Sequence, residues 1–301
     1  MEDKQLNIKN IQSINDCIKR MLIDEKEFSL GDVAFGNNTK VIKSAFRPCT
    51  CPVCPYLFSK MDIYYRLVLI DSLYFTNINQ MRSFGLEEMT DAIWSLCDDG
   101  NGNHSDLNVA EKLKNFIHCC EHPEEKFLKN LGIGAWKDYV PVRDVINDEY
   151  GYIAGDKAGK AFSLLLKYFY FVALIQQVDE YGFPIYDRIV RNLIRPIEKY
   201  MGLSPLSTST DLDDIAKFIP VVQRIVKTLE TADPDLWNLN NSKMLKFELF
   251  YYFVWHIGKA GDKNYRLLFT PKEYTDYYKS NQIKLPKRIQ DWEDMYNQIK
   301  K

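Results

Sequence analysis

The stretch AFSLLLKYFYFVAL, residues 161–174, followed by FPIYDRIVRNLI, residues 183–194, decides how this chain folds. The first block is too long and too evenly apolar for a half-buried strand, and its length predicts a helix that is buried on most sides. The apolar run from Ala161 to Val178 also carries Ser163, Lys167, Gln176 and Gln177, which makes it a core helix and not a membrane span. Lys167 sits among Leu164, Tyr168 and Phe171. Burial would lower its pKa and leave some of the amine neutral, the form that attacks carbon. A lysine that lays its stem along the helix edge and keeps its head in water gives the same pattern. In the second block, Asp187 follows Pro184-Ile185-Tyr186 and precedes the periodic Ile189, Val190, Leu193 and Ile194. It therefore stands at a helix N-cap, where its carboxylate accepts backbone N–H groups and stays ionised. Capping alone accounts for an aspartate there, and the same charge suits stabilisation of a cationic transition state.

Outward from this stretch the helical period continues. Ile63, Leu67, Ile70, Leu73 and Tyr74 form one apolar face, and Ile215, Phe218, Ile219, Val222, Ile225, Val226 and Leu229 form another. Alternating strand-like runs are few. Proline and glycine punctuate the blocks at 48–55, 100–102, 132–134, 182–184 and 204–209. Cap chemistry precedes Ile215, and Thr270-Pro271 marks another helix start. The chain reads as all-α, a string of about ten helices. The Cys- and Pro-containing segment at 47–56 is the expected boundary between an N-terminal helical extension, 1–46, and a main helical domain, 47–301. With 46% hydrophobic and 14% aromatic residues in 301, the chain has ample core material. Its 39 basic against 41 acidic side chains give a net charge of -2, so any face for a polyanion must be local. The N-terminal sequence has no apolar signal core, and a cytoplasmic location without a membrane role is expected.

Lys167 and Asp187 are 20 positions apart, the remainder of one helix and a short turn, so the chain can fold back between them. FSLLLKYFYF followed by FPIYDRIVRNL resembles the helix-hairpin-helix DNA glycosylases of the 8-oxoguanine type, in which a lysine-aromatic helix precedes a Pro-apolar-Asp helix start. The resemblance covers about residues 60–260. It implies a two-lobed helical glycosylase fold, acting as a monomer without a cofactor on double-stranded DNA that carries a modified base. Lys167 would attack C1′ and Asp187 would stabilise the oxocarbenium-like charge. GYIAGDKAGKAF, residues 151–162, supplies Gly155, Lys157, Gly159 and Lys160 for a phosphate-gripping hairpin ahead of the helix. The family carries its nucleophile just after the second hairpin glycine, so Lys157 and Lys160 are rivals to Lys167. LIDSLYFTNINQM, residues 69–81, is similar to the family's wedge segment. Asn77, or else Asn79, would fill the space of the extruded base. Arg188 and Arg191, with Arg195 and Lys199 beyond them, would contact phosphates, although a solvated helix face accounts for the same charges. A noncatalytic DNA-binding or interaction module on the same helices is the second reading.

Seven cysteines without a secretory signal argue against a disulfide scaffold. Cys49, Cys51 and Cys54, with His118 from a second Cys/His cluster, could supply the four ligands of a structural zinc; reduced thiols in a Pro-rich turn are the alternative. A helical enzyme of another class would centre on these clusters. Asp99-Gly-Asn-Gly-Asn lacks the spacing of a calcium loop and reads as a turn. His256, among aromatics, reads as a core histidine.

Overall fold

The computed structural model describes residues 6–27, 37–47, 58–74, 86–119, 155–205, 212, 215–261 and 287–301. Helices hold most of the described residues. The described residues contain no strand, only an isolated bridge between Asp98 and His104, so the fold is all-α. The helices are α1 (Ile8–Glu27), α2 (Asn37–Phe46), α3 (Lys60–Tyr74), α4 (Leu86–Cys97), α5 (Asp106–Cys119), α6 (Gly155–Gln176), α7 (Arg188–Met201), α8 (Ile215–Ala232), α9 (Leu239–Ser242), α10 (Lys246–Gly261) and α11 (Lys287–Lys300). No helix among the described residues is long and apolar enough to cross a membrane.

The chain forms two compact units. The mid-chain unit comprises residues 41–186 and 213–220. At its heart is α6, packed against α3 and α5. Every side chain from Leu164 to Leu174 on α6 is buried, as expected of a helix surrounded on all sides. Phe46 at the end of α2 meets the rings of Tyr168 and Phe171 at 5.0 and 5.8 Å. One ion pair is built into this apolar mass. The Arg66 guanidinium donates to both carboxylate oxygens of Asp106 at 2.9 Å and, through Nε, to the Ala45 carbonyl at 3.0 Å. Burial pushes the Asp106 pKa up, against the pull of Arg66 beside it.

The terminal unit comprises residues 1–40, 187–212 and 221–301. Here α10 packs on α7 and α11, and α1 closes against α7 and α11. Gly258 on α10 permits close approach to α7, for a Cβ there would lie 2.3 Å from Ile189 Cγ2. Ile11, Ile14, Ile18 and Met21 line one face of α1 and are fully buried. Asn15 on the same helix donates to the Leu229 carbonyl at 2.9 Å and accepts from the Trp237 indole at 3.0 Å. The apolar face of α1 is part of the core of the terminal unit, and the two units divide at residues 40, 186, 212 and 220.

The turn between the two decisive helices is set by its own side chains. Gln177 takes a left-handed conformation (φ 46°) at the end of α6. The Asp179 carboxylate then accepts from the N–H groups of Tyr181 and Gly182 at 2.9 and 2.8 Å. Gly202, at φ 77°, ends α7 in the left-handed cap that favours glycine.

Candidate functional site

Asp187 is the N-cap of α7. Its backbone is extended (φ -144°, ψ 178°), and Oδ1 accepts the Val190 N–H at 2.9 Å. Its second oxygen, Oδ2, accepts the hydroxyl of Tyr251, a buried side chain on α10, at 2.9 Å. Both carboxylate oxygens are thus held by donors from the terminal unit, one from the helix start and one from a neighbouring helix. Sequence reading did not find Tyr251, because LKFELFYYFVWHIGKAG offers several aromatics and nothing local marks which of them reaches a residue 64 positions earlier.

Lys167 lies in the mid-chain unit, in the middle of α6, and is only 3% exposed. The edge-of-helix alternative therefore does not apply: the whole side chain is inside. Lys167 and Asp187 belong to different units, the first within residues 41–186 and the second opening 187–212.

The residues expected in a hairpin are helical. Gly155, Lys157, Gly159 and Lys160 occupy the first two turns of α6. The N–H groups of Gly159 and Lys160 lie past the first turn, where backbone donors bond to carbonyls four residues back and are not offered to a phosphate. This corrects the expectation of a separate hairpin before the helix. Two glycines cost a helix only about 1 kcal/mol each, and Asp156-Lys157-Ala158 beside them do not break it. Asn77 and Asn79 lie outside the described residues, as do Cys49, Cys51 and Cys54; His118 belongs to the last turn of α5. Arg188 and Arg191 are exposed on α7.

Two features that resemble sites are structural. In the loop between α4 and α5, Asp98 accepts the N–H groups of Gly100 and Gly102, and Asp99 accepts those of Asn101 and Asn103. The Asn103 side chain, with these backbone donors, holds the Asp99 pKa down at about 2. The loop is a self-capped turn, as read. His256 is buried, with Nδ1 2.7 Å from the Tyr252 carbonyl, which fixes the hydrogen on that nitrogen. Tyr252, Trp255 and Trp292 surround the ring, and burial lowers its pKa to about 4.

In comparisons with protein-family models, with curated proteins and with solved structures, the chain matches none.

Proposed function

We propose that this protein is a DNA glycosylase with lyase activity on the helix-hairpin-helix glycosylase plan, acting as a cytoplasmic monomer on double-stranded DNA with a modified base. The observation that carries the reading is Asp187. A carboxylate fixed by the α7 N-cap and by Tyr251 is anchored in the way that electrostatic stabilisation of a positive transition state requires, with no reorganisation needed at the moment of reaction. The resemblance asks for that residue at that helix start.

Lys167 is the second support: the reaction needs an amine nucleophile, and this lysine lies buried in the middle of α6. In the proposed reaction the amine lone pair forms a bond to C1′ while the bond from C1′ to the base nitrogen breaks. The base leaves with that electron pair and takes up a proton. The amine gives up its two protons, one to the departing base and one to O4′ as the C1′–O4′ bond breaks, and its nitrogen is left double-bonded to C1′ as an imine. Asp187 stabilises the positive charge that develops on the sugar as the base departs.

The helical state of Gly155–Lys160 favours the second reading, a noncatalytic DNA-binding module on the same helices. Borohydride trapping decides between them, using duplexes that contain an abasic or oxidised site. The expected result is a covalent adduct that is lost in Lys167→Ala. An adduct that survives this change and disappears in Lys160→Ala moves the nucleophile to the start of α6. Absence of any adduct together with salt-sensitive duplex binding leaves the noncatalytic module. Absence of both sinks the nucleic-acid reading altogether.

A further inference from the structure

The loop between α4 and α5 contains Asp99-Gly100 and Asn101-Gly102, the only Asp-Gly and Asn-Gly pairs in the 301 residues. In such a pair the side-chain carbonyl carbon lies within ring-closing reach of the next backbone nitrogen, and glycine leaves that nitrogen without a shielding side chain. Attack closes a succinimide ring, which is the main route by which asparagine is lost from proteins.

Both pairs are exposed, yet the turn treats them differently. The Asp99 carboxylate accepts from the N–H groups of Asn101 and Asn103 and from the Asn103 side chain, at 2.8, 3.2 and 3.0 Å. These donors hold its pKa down at about 2, and an ionised carboxylate is a poor target for a nucleophile. Asn101 carries a neutral amide instead, with ammonia as its leaving group. The attacking nitrogen is that of Gly102. Its N–H shares Asp98 Oδ1 with Gly100 and makes the longer bond, 3.1 against 2.8 Å, so its release leaves the carboxylate oxygen still paired. Gly102 stands at φ 86°, and the space that a side chain there would take holds no atom within 4 Å. The neighbouring asparagines are more constrained. Asn103 precedes His104 and gives its amide to Asp99, while Asn108 lies in α5 and donates to the carbonyls of Cys97 and Asn103 at 2.7 and 3.1 Å.

We infer that Asn101 is a self-modification site, at which the folded chain converts an asparagine into aspartate and isoaspartate. The Gly102 nitrogen gives its proton to solvent base and forms a bond to Asn101 Cγ. The bond from Cγ to Nδ2 breaks, and that nitrogen takes a proton from water and leaves as ammonia. Water then opens the ring. Breaking the bond from the Gly102 nitrogen to Cγ yields aspartate; breaking its bond to the Asn101 backbone carbonyl carbon yields isoaspartate. Either product sets a third carboxylate beside Asp98 and Asp99. Isoaspartate also lengthens the backbone between Asp99 and Asn103, whose N–H and carbonyl groups close the turn on each other. The conversion is independent of the reaction proposed above.

The test incubates the full chain in neutral buffer, folded or in urea, and digests it at acidic pH so that digestion adds no conversion. The expected result in the folded chain is the mass gain of an amide replaced by an acid, growing with time and placed at Asn101 by fragmentation. An isoaspartyl methyltransferase is expected to transfer labelled methyl groups from S-adenosylmethionine to the same incubated chain. Both signals are lost in Asn101→Gln, whose longer side chain closes its ring far more slowly. An unchanged Asn101 in the folded chain overturns the inference, and conversion seen only in urea shows that the turn withholds the Gly102 nitrogen. Earlier conversion at Asn103 or Asn108 overturns it too.

Discussion

At Asp187 one side chain serves two ends, and substitution can separate them. Asparagine caps a helix about as well as aspartate, so Asp187→Asn is expected to unfold within about 0.5 kcal/mol of the parent, whereas Asp187→Ala loses the cap and costs about 1 kcal/mol or more. If the charge matters to catalysis, the borohydride adduct falls in Asp187→Asn as well as in Asp187→Ala; denaturant midpoints and adduct yield, measured on the same preparations, check both. His256 makes a prediction about pH. Its imidazole is neutral in the folded chain down to about pH 4, while in the unfolded chain it takes up a proton near 6.5. The unfolded state therefore binds the extra proton between these values, and stability falls as pH drops through that window, by about 3 kcal/mol from this residue. Urea unfolding at pH 7 and pH 4.5 is expected to show a smaller loss in His256→Gln than in the parent. Asp187 was legible because a proline-bounded turn and a new apolar period bracket it. Tyr251 was not, since a hydrogen bond spanning 64 positions leaves no local trace.

Among the elements, the meeting of α7 and α10 depends on Gly258. A methyl group there would press on Ile189 Cγ2 at 2.3 Å and Leu193 Cδ1 at 3.2 Å. Both belong to a packed seam, and the Ile189 atom is a branch methyl with little rotamer freedom. Gly258→Ala is therefore expected to lower stability by about 1–2 kcal/mol in denaturant unfolding, overpacking outweighing the better helix propensity of alanine. Element type was largely readable: the lengths and periods of α6, α7 and α8 follow from their apolar patterns. The glycines at 155 and 159 misled because glycine weakens a helix without forbidding one, and the run beyond them propagates backward through them. The amphipathic face of α1 was readable too, but its partner was not. Apolar spacing says that a face will be covered, and the covering helices lie far along the chain.

For the whole molecule, the all-α class was in the sequence, while the division into units was not. Ile11, Ile14, Ile18 and Met21 of α1 are buried in a unit whose other residues come from the second half of the chain, a partnership that no local pattern announces. Helix α7 behaves similarly: which of its side chains are covered, Glu198 among them, is decided by partners elsewhere in the unit. The joining of α1 to α7 and α11 also has a consequence in time. About 160 residues separate Glu27 from Asp187, so α1 leaves the ribosome long before any of those partners exists. At roughly 5–20 residues per second, Ile11, Ile14, Ile18 and Met21 wait on the order of 10–30 s for cover. During synthesis the apolar face of α1 therefore stays uncovered until α7 has been made.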